Sequence, residues 1–159
     1  MEIADLVTVS IDKATRAFAT SDVELAEEVI ADDAKIDELA VKLDEQAIEI
    51  LARQQPVARD LRIVVIALRV SASLERMGDM SEHIAQLARL RFPERAIPKG
   101  LKGTFTKMGE LDVEISRTLS ELLRTQDLRL ADTIRNTDDD IDELHLSLIH
   151  ISEPTRQAE

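Results

Sequence analysis

The amino-acid sequence predicts an all-α protein, and three observations lead there. Helix formers, chiefly Ala, Leu, Glu and Arg, dominate the 159 residues. Only four glycines and four prolines punctuate them, so long uninterrupted elements are expected. Apolar residues recur at steps of three and four, and no alternating run is bounded by turn residues in the manner of a strand.

The elements follow in order. A first helix is expected over about residues 3–19, where Ile3, Val7, Ile11, Ala14 and Phe18 form one stripe. Thr20 or Ser21 offers an N-cap for the second, with Glu24 as the reciprocal partner of a capping box begun at Ser21. This helix extends to about Gln54 along a seam of Leu25, Val29, Ile36, Leu43, Ala47 and Ile50. Pro56 suits the first turn of a third helix, because a missing N–H costs nothing there. The third helix reaches about Leu90 and carries two apolar stripes. One is Leu61, Val65, Leu68 and Ala72; the other is Ile63, Ile66, Val70, Leu74, Met77 and Ile84. A helix apolar on two sides is expected to be the central member of its bundle. Pro93, Pro98 and Gly100 mark residues 92–100 as a linker. A fourth helix over about 101–124 and a fifth starting near Asp127 complete the pattern.

An internal repeat underlies this order. DVELAEEVIADDAKIDEL (22–39) aligns without gaps on DLRLADTIRNTDDDIDEL (127–144), with eight identities in eighteen positions. The shared D-x-x-I-D core points to duplication of a three-helix unit. The first unit spans 1–91, and residues 101–145 supply the first two helices of the second.

Composition excludes several functions. A net charge of −12 repels phosphate backbones and anionic headgroups. With Phe18, Phe92 and Phe105 as the whole aromatic complement, no stacking platform for single strands exists, so direct nucleic-acid binding is not expected. The chain has no cysteine, hence neither disulfides nor a thiolate site. The longest apolar stretch, 63–68, is far too short to enter and cross a bilayer, and a soluble protein is expected. No P-loop, G-x-S-x-G, H-E-x-x-H or Glu-x-x-His pattern is present, so no enzymatic activity is expected.

The carboxylates are more informative. If the second and third helices fold back on each other at Pro56, residues equidistant from the turn face one another. Asp33 then lies opposite Asp79, and Asp37 opposite Glu75. Each helix carries its pair at i, i+4 on one face, about 28 Å from the turn at roughly 1.5 Å per residue. Four converging carboxylates repel one another and need compensation. A hard cation is one solution, since oxygen ligands suit Mg²⁺, Ca²⁺, Mn²⁺ or iron. Salt bridging to Lys35, Arg69 or Arg76 on a solvated face is the other. Asp138 and Asp142 repeat half of the pattern, and His83, one turn past Asp79, is either a further ligand or a surface histidine.

Residues 50–88 closely resemble the PhoU family of phosphate-signalling regulators. The R-Q-x-P-V-A-x-D-L-R run at Arg53–Arg62 and the L-E-R-[MI]-[GA]-D run at Leu74–Asp79 carry the resemblance, which extends from the first helix to His145. It implies two three-helix units and a cytoplasmic, non-enzymatic regulator that restrains phosphate uptake and the phosphate-starvation response. Its implied partners are a phosphate ABC transporter ATPase and a sensor histidine kinase, with homodimerisation by analogy. It also implies metal binding (Mg, Mn, Fe or Zn) through E/D-x-x-x-D motifs. These fall here on Asp33 and Asp37, Glu75 and Asp79, and Asp138 and Asp142. A metal-storage or metal-dependent helical bundle is the competing function, and a structural helical oligomer a third.

The sequence departs from the family at both ends. The first helix is shorter than in other members. The run LSLIHISEPTR (146–156) reads like a translated sequencing-library adapter, so residues 146–159 are expected to be a non-native tail. The second unit would then lack its last helix and half of its acidic motif. Its remaining helices would expose an apolar face and be looser than the first unit.

Overall fold

The computed structural model describes residues 1–98 and 100–152, the last two by backbone alone. The described residues form five helices and no strand: α1 (Glu2–Thr20), α2 (Val23–Gln54), α3 (Arg59–Arg91), α4 (Lys102–Thr125) and α5 (Arg129–Ser152). None of them is long and apolar enough to cross a membrane.

Two helix starts differ from expectation for identifiable backbone reasons. Ser21 takes up a left-handed conformation (φ 61°) that closes α1, so it cannot also adopt the extended backbone of an N-cap. The cap passes to Asp22, whose carboxylate accepts a hydrogen bond from the Leu25 N–H at 3.0 Å. The Ser21–Glu24 capping box therefore does not form. At the next reversal Gln55 and Ala58 both have positive φ (43° and 47°), which places Pro56 inside the connection and starts α3 at Arg59. The helix α5 continues to Ser152, past the boundary expected at residue 145; residues 153–159 lie outside the described part.

Among the described residues, the helices pack around α1, which touches α2, α3 and α4; α2 and α3 also pair with each other, and α5 packs on α4. The expected hub, α3, is thus displaced by α1. Ala4, Ser10, Ala14 and Ala17 are the reason: small buried residues on α1 let neighbours approach from several sides. On α3, by contrast, only the later part of the second stripe is buried, at Leu74 (2% exposed), while Ile63 (56%) and Ile66 (59%) near the start of the helix are exposed.

Two apolar clusters hold the first three helices together. One joins Ala14, Ala17, Ala26, Val29, Ala85 and Ala88; the other joins Ile3, Ala4, Val7, Ile36 and Leu74. Full burial of each Val or Ile among them is worth about 1.5–3 kcal/mol. Polar links reinforce the rims. Lys13 of α1 reaches Glu28 (2.9 Å) and Asp32 (3.4 Å) of α2, and Arg89 of α3 reaches Glu27 (3.2 Å). The α1–α4 joint carries Arg124–Asp5 (3.0 Å), Arg117–Asp12 (3.4 Å) and an edge-to-face pair of Phe18 and Phe105. These ion pairs are largely exposed and contribute orientation more than energy.

Candidate metal centre

The site begins with a missing side chain. Gly78 is buried in α3 against Ile36 of α2, which is 1% exposed. A Cβ at position 78 would stand 3.1 Å from Ile36 Cδ1 and 3.2 Å from Asp33 Oδ1, tighter than ordinary van der Waals contact. The bare backbone lets α2 lie close to α3 and brings Asp33 against it. Asp37 follows one turn along α2, and Asp79 is the residue after Gly78. Asp33, Asp37 and Asp79 each offer a carboxylate oxygen, and the three oxygens lie within 4.8 Å of one another.

The electrostatics follow from that crowding. Asp33 Oδ1 is buried and has no hydrogen-bond partner. Its carboxyl pKa is pushed up from 3.8 to about 6, first by burial and then by the charges of Asp37, Glu82, Asp79 and Glu75. The cations suggested as compensators are elsewhere. Lys35 bonds Asp32 at 2.6 Å, and no ion pair among the described residues joins Arg69 or Arg76 to the cluster. Three oxygens from two helices, one of them without a donor, fit a hard cation.

The other sequence candidates are distributed differently. Glu75 lies outside the close trio and lines an adjoining groove together with Asp37. His83 is exposed on α3 and outside the trio. On α5, Asp138 and Asp142 are both exposed, and neither belongs to a cluster of three ligands among the described residues. Asp138 instead acts on Asp112 of α4, whose carboxyl pKa is raised first by desolvation and then by the Asp138 charge. Asp112 also lines a largely apolar groove between α1, α3 and α4 with Ile11, Met77 and Ile115.

Sequence reasoning passed over Glu82 and Asp112. Glu82 was within reach, because it follows Asp79 by three residues and so shares its face of α3. Asp112 was not, because its relation to Asp138 depends on how the α4–α5 reversal sets the register of two helices.

Comparison with known proteins gives this geometry a family. A PhoU domain matches residues 1–88. The phosphate-specific transport system accessory protein PhoU homolog 2 of Mycobacterium tuberculosis is 38% identical over 150 residues, covering 94% of this chain and 70% of that protein. The crystal structure of PhoU from Pseudomonas aeruginosa superposes with a TM-score of 0.88 at 26% identity, over 94% of this chain and 71% of the other. That of the phosphate transport system regulatory protein PhoU from Streptococcus pneumoniae does so with a TM-score of 0.80 at 27% identity, over 92% and 68%. With the matching domain running through α1, α2 and nearly all of α3, and the likeness reaching over most of the chain, this protein belongs to the PhoU family.

Proposed function

We propose that this protein is a regulatory accessory component of a phosphate transport system and acts by binding rather than by catalysis. Its relatives named above are accessory and regulatory proteins of phosphate transport. In this reading it restrains phosphate uptake and phosphate-starvation signalling from the cytoplasm, by docking to the ATPase of a phosphate ABC transporter and to a sensor histidine kinase.

The α2–α3 face is a metal site in the same reading. Asp33, Asp37 and Asp79 hold a divalent or iron cation, while Glu75 and Glu82 add negative charge beside it. Of Mg, Mn, Fe and Zn, the oxygen-only ligand set favours the harder ions. The ion would neutralise the cluster and tie α2 to α3, presenting a fixed surface to a partner. The observation that carries the metal assignment is the convergence of three carboxylate oxygens within 4.8 Å, with Asp33 Oδ1 lacking any donor.

Elemental analysis after exhaustive dialysis tests the site, and co-purification with the transporter ATPase tests the role. Asp33→Asn and Asp79→Asn are expected to lower metal affinity at least tenfold while the helical content stays unchanged. Undiminished metal binding in both variants removes the site. Metal binding without capture of either ATPase or kinase would favour the storage function.

A further inference from the structure

We infer that the outer half of the α2–α3 hairpin docks onto the same face of a second copy of this chain, with α2 of each copy lying across α3 of the other. The inference depends on neither the phosphate-regulatory role nor the metal site.

One side of the hairpin carries an uncovered apolar seam. Leu61, Val65, Leu68 and Ala72 run along α3 at steps of four and three, and Leu61 and Val65 are 41% and 40% exposed. On α2, Val41 and Ile48 stand seven residues apart and are 59% and 63% exposed. Val41 and Ala72 line one groove, so the two strips lie on the same side of the hairpin. Coiled-coil spacing on both helices marks an interaction surface rather than scattered apolar residues.

The flanking charges select the occupant. Arg62 and Arg69 follow the outer edge of α3, again seven apart, both exposed and neither in an ion pair among the described residues. Glu45 and Glu49 follow the outer edge of α2 and are exposed too. Glu45 has no cation among the described residues, and Glu49 holds only Arg53 of its own helix, at 3.0 Å. Each hairpin thus has one basic and one acidic edge beside its apolar seam, as self-complementary docking requires. A twofold axis along the hairpin sets the basic edge of one copy against the acidic edge of the other. An axis across the hairpin would instead set like edges together.

The register agrees. Counted from the turn, Glu45 is level with Ala67 and Glu49 with Ile63, so Arg69 and Arg62 of the other copy come within one helical turn of them. Ile48 of one copy meets Val65 of the other. Asp44 is level with Leu68, where Arg69 of the other copy meets its charge. Farther from the turn, Asp37 and Glu75 line the same side and repel their copies, which confines docking to residues 41–72. That area is roughly 23 Å by 20 Å per copy, from helix rise and spacing, and suits a weak, reversible dimer.

Sedimentation equilibrium of the full chain tests this, with chelator present so that no metal bridges two copies. At roughly 100 μM protein and low ionic strength a monomer–dimer equilibrium is expected, weakened several-fold when salt screens the edge charges. Arg62→Glu/Arg69→Glu and Glu45→Arg/Glu49→Arg each weaken it at least tenfold, because both junctions then carry like charges. An equimolar mixture of the two double variants restores the dimer, since every junction is again oppositely charged. Ile48→Gln weakens it without any change in charge. All five positions are exposed, so the fold is kept, which circular dichroism verifies. A chain that stays monomeric overturns the proposal, as does a dimer indifferent to these variants. Loss in both double variants without recovery on mixing overturns it too, because α2 then does not meet α3.

Discussion

Asp33 must stay ionised at neutral pH while partly buried and beside four other carboxylates, and the metal-free protein pays for this in stability. Its folded-state carboxyl pKa of about 6 exceeds the ordinary 3.8, so between these values the folded chain holds a proton that the unfolded chain has released. The proton's contribution to stability is complete below about pH 4 and is lost as pH rises through about 6. Replacing Asp33 by Asn removes the charge that burial opposes. With metal chelated, Asp33→Asn should be more stable than the parent at pH 7–8 by ~1–2 kcal/mol, allowing for solvent screening at about 1.4 kcal/mol per pKa unit. The difference should vanish near pH 4. Thermal midpoints of both proteins from pH 4 to 8 measure it, and parallel curves would contradict this electrostatic explanation. At this scale the sequence was informative where register follows from a turn. Equal distance from Pro56 set Asp33 opposite Asp79 and Asp37 opposite Glu75. It did not separate Glu75 from the trio, because side-chain direction across a helical seam is fixed by contacts such as Ile36 on Gly78.

Between elements, the α1–α4 joint depends on a second close approach. A Cβ on Gly109 would run into the side chain of Thr15, with its γ-methyl as the nearest atom. Alanine is the better helix former by roughly 1 kcal/mol, yet overpacking a tight contact typically costs about 1–3 kcal/mol. Gly109→Ala should therefore destabilise the protein by up to ~2 kcal/mol net. Thr15→Ala in the same chain should recover most of that loss, because it removes the nearest atoms. Denaturant unfolding of the two single variants and the double variant measures the coupling, and additive effects would show that this contact does not hold the joint. Helix number and approximate extent were readable from periodicity and from the few glycines and prolines. The hub was not. Two apolar stripes on α3 show what that helix could bury, whereas the small residues on α1 decide what can come close to it.

For the molecule as a whole, the order of packing makes a chain of dependencies. Opening α5 breaks one interface, opening α4 breaks two, and opening α1 breaks three. The apolar face of α5 agrees with this: Ile134, Ile141 and Leu144 are only half-buried, and Leu128, just before the helix, is 78% exposed. Local opening free energies follow the number and burial of contacts that must be broken. Native-state hydrogen exchange should thus release α5 first and α1 last, with protection differing by about two orders of magnitude. Gly109→Ala supplies a second readout, since among the described residues α4 makes its close backbone approaches to α1 and α5. It should speed exchange across 102–150 together and leave the α2–α3 hairpin nearly untouched. Equal protection in 129–150 and 60–90 would mean that α5 is held by something other than α4, and the hierarchy would fall with it.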